Sequence, residues 1–422
     1  MRGGGLDHDD GRMSTTTDIT QSAIGDLVDH TETRPRPMDR IPTDMLERFR
    51  ERAAAHDSDG TFPIQDLDEL RSTGWMRALA PLGIGGLGLD LATFATAQRE
   101  LARYAPATAL STTMHHYWVG TAASLQAFGV PIAERMLDWV ADGEILASGH
   151  AEPGNDVPIA LSTTRAERVV GGWRLHGRKM FGSLGPVWDR LGFHAMDSTN
   201  AEGPVIVHGF VRRDAPGVTV VPTWDAHGMR ATESHDTVLD GAFVPDSDVL
   251  CVVPAGPPTD LAIGVMFIWA GTLIANVYVG IAERALELAC GETTSKTSIG
   301  LGGRTMAHHP LIQHHVAAMH LELDAARKVL DRIGQDFCTG VDHGPAWSIE
   351  VFAAKWRAAT AAIKVVDLAC EVVGGASFSR RHELERLSRD VRAARFHPGT
   401  DAYTHEVIGK ALLAIDLSGP RW

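Results

Sequence analysis

The chain has 422 residues, 44% hydrophobic and 22% charged, an ordinary balance for a soluble globular protein of two or three domains or one composite unit. Its net charge of −14 offers no basic stripe and argues against a nucleic-acid partner. Four cysteines, Cys251, Cys290, Cys338 and Cys370, lie far apart without CxxC spacing and are expected as reduced, buried thiols in a cytoplasmic protein.

Residues 1–40 are polar, rich in Gly, Asp, Thr and Arg, and contain no continuous apolar core. They are expected to form a disordered tail without a secretory signal, and Met13 is an alternative start. From 41 to 144 apolar residues recur at helical spacing, as in ATFATAQRELARYA and GTAASLQAFGV, which predicts an α-helical domain. The Gly-rich PLGIGGLGLD between Pro81 and Asp90 lacks GKS or GKT and a preceding strand, so it is a loop and not a phosphate cradle. From 145 to 253 short alternating runs, TTRAERVV, GWRLHGRKMF, VIVHGFVRR and GVTVVPTW, are separated by Gly, Pro and Asp turns and predict a β-domain of antiparallel strands.

From 254 to 422 the pattern is helical again. Helices are predicted at 261–293, 310–338, 347–373 and 400–416, with a shorter one near 383–395 and Gly374-Gly375 closing the third. Leu261 to Ala282 carries no charge and is long enough to span a bilayer. Lys and Arg do not flank it, however, and Asn276 and Thr272 interrupt it, which predicts the buried central helix of a bundle and no membrane partner. The histidine-rich HHPLIQHH sets His309 and His314 near one helix face without HExxH or a carboxylate at ligand spacing, so no metal site is predicted.

Several segments carry a resemblance. They are ASGHAEPGND from Ala147, GRKMFGSLGPVWD from Gly177, TWDAHGMRATESHDTVLDGAFVPDSDVL from Thr223, CEVVGGASF from Cys370 and RDVRAARFHPGTDAYTHEVIG from Arg389. With the order helices, β-domain, helices, they make the chain similar to the acyl-CoA dehydrogenase superfamily over about residues 40–417. The resemblance implies an α+β, mainly α fold: an N-terminal helical domain, a central β-domain and a C-terminal four-helix bundle. It also implies a flavin enzyme, with FAD as cofactor or FMN where a reductase supplies the flavin.

The same resemblance assigns residues. Glu152, Pro153 and Gly154 stand in the segment whose backbone touches the flavin pyrimidine, with Ala151 replacing a Thr. Phe181 takes the place of the aromatic that covers the ring, and Ser183 that of the hydroxyl near N5. Arg304, Glu371, Gly374 and Gly375 match positions that reach the nucleotide half of a neighbouring subunit's flavin, which implies a homotetramer. His115, His116, Arg230 and Thr232 fall on the substrate side, although the two histidines are equally placed to be satisfied groups at a helix interface.

The dehydrogenases of this superfamily hold a Glu base nine residues after the Arg that opens the last segment; here that position is Pro398. The other known base location falls on Ala270. His397 stands where the superfamily's reduced-flavin monooxygenases carry a His, and with Ser183 it forms the implied catalytic pair. Three readings stay open: a monooxygenase fed by a flavin reductase and acting on a small molecule, an acyl thioester dehydrogenase passing electrons to an electron-transfer flavoprotein, and a non-catalytic flavoprotein subunit. Asp401 and Glu406 are the nearby carboxylates, expected at capping or solvent-facing positions.

Overall fold

A computed structural model describes residues 41–156, 159–257 and 260–415. The predicted tail at 1–40 lies outside the described residues. Among the described residues five α-helices come first: α1 (Thr43–Asp59), α2 (Ile64–Ser72), α3 (Leu91–Tyr104), α4 (Pro106–Ala127) and α5 (Pro131–Ala141). Asp90 caps α3 by accepting from the Thr93 N–H at 2.7 Å, and Pro106 occupies the first turn of α4, where its missing N–H costs nothing.

Eight strands follow: β1 (Leu146–Gly149), β2 (Arg165–Val169), β3 (Gly172–Gly182), β4 (Arg190–Asp197), β5 (Val205–Arg212), β6 (Val218–Val221), β7 (His235–Pro245) and β8 (Val249–Pro254). They form one sheet in the order β6-β7-β3-β2-β4-β5-β8, with β1 added beside β4. The long pairings are antiparallel; β1 runs parallel to β4, and a single parallel bridge joins β2 to β4.

The C-terminal part contains α6 (Leu261–Ser295), α7 (Pro310–Cys338), α8 (Trp347–Val373), α9 (Glu383–Asp390) and α10 (Asp401–Leu412). Helix α6 is the long apolar helix, and 78% of its most hydrophobic window is buried. It packs on α3, α4, α7 and α8, which explains a sequence apolar all round. Gly280 allows the closest of these contacts: a Cβ there would stand 2.3 Å from the Arg99 carbonyl oxygen on α3. Helix α8 ends at Gly374, whose φ of 74° a side chain would resist.

The fold is thus helical at both ends with a central β-sheet, the predicted class. One expectation is corrected: none of the four cysteines is buried. Cys251, Cys290 and Cys370 are half-buried and Cys338 is exposed, because each sits at the margin of its strand or helix face. The histidine run at 308–315 has a local role, since His309 Nδ1 caps α7 by accepting from the Leu311 N–H at 3.1 Å.

Candidate active site

The end of β3 is where the sheet becomes irregular. Its pairing with β7 shifts register between Lys179 and Gly182, and Phe181 and Leu184 take φ values of 59° and 66°. Such left-handed geometry costs a non-glycine residue about 1 kcal/mol, and surrounding structure must hold it. The Phe181 ring is 56% exposed, with the Trp224 ring edge-on to it at 6.0 Å. The turn containing Glu152, Pro153 and Gly154 lies alongside, since the Met180 N–H donates to the Ala151 carbonyl at 2.8 Å. These segments, far apart in sequence, meet at the end of β3.

Glu152 itself points away from that surface. Its carboxylate accepts from Lys179 Nζ at 2.5 Å, Ser162 Oγ at 2.6 Å, Asn155 Nδ2 at 2.8 Å and the Thr163 and Thr164 N–H groups at 2.9 and 3.1 Å. Burial alone would raise its pKa, but the His194 contact and the Lys179 charge outweigh burial and hold it far below the usual carboxylate range. Burial draws Lys179 down to about 8. Glu152 is therefore an internal tie; the part of its segment that can face a ligand is the backbone around it and the exposed Pro153 and Gly154.

Ser183 is buried, and its Oγ lies 2.8 Å from Ser234 Oγ. Ser234 Oγ lies 2.7 Å from Thr232 Oγ1, which donates to the Met229 carbonyl at 2.9 Å. Thr232 thus belongs to a hydroxyl chain behind Ser183. Met229 in turn donates its N–H to Asp390 Oδ1 at 2.5 Å, and Gly228 fits against the Arg389 carbonyl, where a Cβ would approach to 2.3 Å. Burial pushes the Asp390 carboxyl up to about 6. Arg230 donates to the Asp57 carbonyl at 2.8 Å, and Arg389 grips the Asp57 carboxylate at 2.9 and 2.6 Å, so both arginines pin the end of α1 to this loop.

His397 follows on the same segment. Lys355 on α8, 3% exposed, donates to the carbonyls of Ala394, His397 and Gly399 at 2.9, 3.2 and 2.9 Å. One buried ammonium thereby uses its whole donor set to fix the loop. The imidazole lies against the Tyr278 ring at 5.6 Å. Burial, with the Lys355 charge behind it, lowers the His397 pKa to about 3, so the ring is neutral at pH 7. Among the described residues no hydrogen bond or ion pair engages its ring nitrogens, and the buried Tyr278 hydroxyl on α6 is also unpartnered. The ring is half-buried and the neighbouring hydroxyl fully buried, so a polar edge and an orphaned donor stand side by side.

The other predicted residues lie elsewhere. His115 bridges Met76 O at 2.7 Å and the Leu146 N–H at 3.1 Å, so Nε2 carries the proton and both nitrogens are engaged. His116 reaches Trp75 O at 3.1 Å and packs on Phe94 at 4.6 Å. Burial lowers these two rings to about 4 and about 3, and both act as ties between α4 and the turn before α3. Arg304, in the connection between α6 and α7, and Glu371, Gly374 and Gly375, at the end of α8, are exposed, and among the described residues no hydrogen bond joins them to the β3 end. Asp401 accepts from Trp356 Nε1 at 2.6 Å, and Glu406 pairs with Lys410 at 2.9 Å. The sequence reading overlooked Lys355, Tyr278 and the linking role of Ser234. The usable signals were a lone Lys in the apolar run VFAAKW and a lone Tyr in NVYVG.

Residues 43–144 match the family model for the acyl-CoA dehydrogenase N-terminal domain, and residues 266–413 match that for the C-terminal domain. The chain is 31% identical over 411 residues to an amino sugar nitrososynthase of Streptomyces peucetius, covering 92% of this chain and 98% of that one. It is 29% identical over 371 residues to a putative acyl-CoA dehydrogenase of Bacillus subtilis, covering 87% and 94%. A solved structure of KijD3 in complex with FMN and a dTDP-linked amino keto sugar superposes with a TM-score of 0.74 at 27% identity, covering 93% and 97%. The chain belongs to the acyl-CoA dehydrogenase superfamily, and its relatives there are flavin-dependent oxidoreductases.

Proposed function

We propose that the protein is a flavin-dependent monooxygenase that receives reduced flavin from a reductase and inserts an oxygen atom from O2 into a small organic substrate, with an amine as the favoured class. The observation that carries this reading is His397 followed by Pro398 where a dehydrogenase needs a carboxylate base. The carboxylates near that segment are engaged elsewhere, Asp390 with the Met229 N–H, Asp401 with Trp356 and Glu406 with Lys410. The flavin, as FMN or FAD, supplies the reducing electrons and the site of oxygen activation. Phe181 and the 151–154 backbone bind its ring, and Ser183 orients one edge. His397 and Tyr278 offer a neutral acceptor and a hydroxyl that can hold a substrate N–H or O–H. The similarity to an amino sugar nitrososynthase supports an amine substrate.

Assembly as a homotetramer in the cytoplasm belongs to the same proposal. Ile299, Phe378, Phe396 and Leu412 are 100%, 91%, 79% and 81% exposed, and a second copy would cover such apolar groups. The test is turnover with reduced FMN, a flavin reductase, ¹⁸O2 and a panel of small amines, read by mass spectrometry. Label in an oxygenated product is expected. The competing reading, acyl thioester dehydrogenation, draws on the Bacillus subtilis relative. Anaerobic bleaching of bound oxidised flavin by an acyl-CoA, with no labelled product from any amine, would replace the first reading by the second.

A further inference from the structure

The hydroxyl chain behind Ser183 has a direction. A carbonyl oxygen cannot donate, so the 2.9 Å contact between Thr232 Oγ1 and the Met229 carbonyl uses the single Thr232 hydroxyl hydrogen. Thr232 can then only accept from Ser234 across the 2.7 Å contact, which uses the Ser234 hydrogen. Ser234 can in turn only accept from Ser183 across the 2.8 Å contact, which uses the hydrogen of Ser183. Ser183 is left with lone pairs and no free hydrogen. The chain is anchored, not floating. Met229 and Glu233, on either side of the Arg230–Thr232 turn, hold φ values of 53° and 39°. The Met229 N–H is fixed by Asp390, and the Glu233 carboxylate accepts from the Phe62 N–H at 2.7 Å. All three hydroxyl residues are buried, so water does not readily reset their orientation.

We infer that Ser234 and Thr232 are positioning residues that hold Ser183 as a hydrogen-bond acceptor, so that the site selects reduced flavin over oxidised flavin. The inference rests on the flavin reading proposed above. Reduction changes the hydrogen-bond character of the flavin ring at N5, from an unprotonated acceptor to an N–H donor. A serine with no free hydrogen pairs with the donor form and opposes the acceptor form. Selection of this kind suits a protein that takes its flavin already reduced from another enzyme, since the oxidised form is released for re-reduction.

The test is anaerobic titration of wild-type protein, Ser234→Ala and Thr232→Val with oxidised and with dithionite-reduced FMN, together with the midpoint potential of the bound flavin. Wild type is expected to bind reduced FMN more tightly. Either substitution frees the Ser183 hydrogen and should lower the reduced-to-oxidised preference by about tenfold, with a matching negative shift of the midpoint potential. In a Ser183→Ala background the same substitutions should leave the preference unchanged. Affinities for both forms that move together, or not at all, would overturn the inference while leaving the flavin reading intact. Wild-type protein that binds neither form would overturn both.

Discussion

The β-domain interior holds the buried His194 and His208, whereas the segment from Arg389 to Thr400 holds a half-buried His397, and the two regions treat their histidines differently. In the β-domain His150, His194 and His208 stack at 5.6 and 6.1 Å around the Glu152–Lys179 pair. His194 Nε2 lies 3.1 Å from the Leu161 carbonyl, so it carries the proton, and Ser148 lies 2.8 Å from His150 Nδ1. The polar groups there hold strands together. In the second region the fixing is done by the main chain: Lys355 clamps the loop through carbonyls, and the His397 ring stays open beside an unpartnered tyrosine hydroxyl. In the β-domain each ring also keeps one buried nitrogen without a partner among the described residues, His150 Nε2, His194 Nδ1 and His208 Nε2, so an open nitrogen does not by itself separate the two regions; the carbonyl clamp by Lys355 does.

The sharpest test on the structural side is Lys179→Met. It leaves Glu152 charged and buried without its partner, an arrangement that costs about 3–5 kcal/mol. Urea denaturation should show that loss in the midpoint with an unchanged slope. A variant as stable as wild type would mean that the β-domain polar cluster does not hold the sheet. On the functional side, His397→Ala should leave the urea midpoint within about 0.5 kcal/mol of wild type and lower turnover by roughly 10²–10⁴-fold. If stability collapses and the residual turnover per folded molecule is normal, His397 belongs with the β-domain histidines and the contrast fails.

Acid should act through rings held neutral in both regions, His208 in the β-domain and His397 in the second, and through His116 on α4. His116 and His208 are each lowered by burial to about 3 in the folded protein, against 6.5 for a free ring. Their unfolded forms therefore bind protons first as pH falls. The stability they contribute is complete above about pH 6.5 and drains away between there and about pH 3. At pH 5 each accounts for a loss of about 2 kcal/mol. The urea midpoint should fall clearly between pH 7.5 and pH 5, and replacing His208 by Leu should flatten that dependence. A midpoint insensitive to pH in this window would show that the rings are not held neutral.

The helical and β regions were legible because their periodicity is strong. Helices expected at 310–338 and 347–373 are found at Pro310–Cys338 and Trp347–Val373. Less legible was which polar residues face inward. ASGHAEPGND shows Glu152 in a turn, but nothing local says that Lys179 and His194 converge on its carboxylate. The same holds for Asp390, whose partner Met229 belongs to a distant loop. Pattern reading finds motifs that stay close in sequence. Buried ion pairs and clamps such as Lys355 join residues through the fold, and only the packing displays them.

The smallest effect concerns Phe181, and it bears on the strain at the β3 end. The ring is more than half exposed and makes one edge contact, so its removal should cost little stability. Its φ of 59° is unfavourable for any residue with a Cβ. Phe181→Gly should therefore be as stable as wild type or slightly more so, while Phe181→Ala keeps the backbone strain and should be slightly less stable than the Gly variant. Both lose the aromatic face and should bind flavin about five- to tenfold more weakly, the range of one aromatic contact of about 1 kcal/mol. Equal weakening in both, with stability ordered by backbone preference alone, would separate what the ring does from what the backbone does. If instead only Gly weakens binding, the left-handed geometry and not the ring would be what shapes the surface, and the β3 end would act as a rigid frame, much like the β-domain interior behind it.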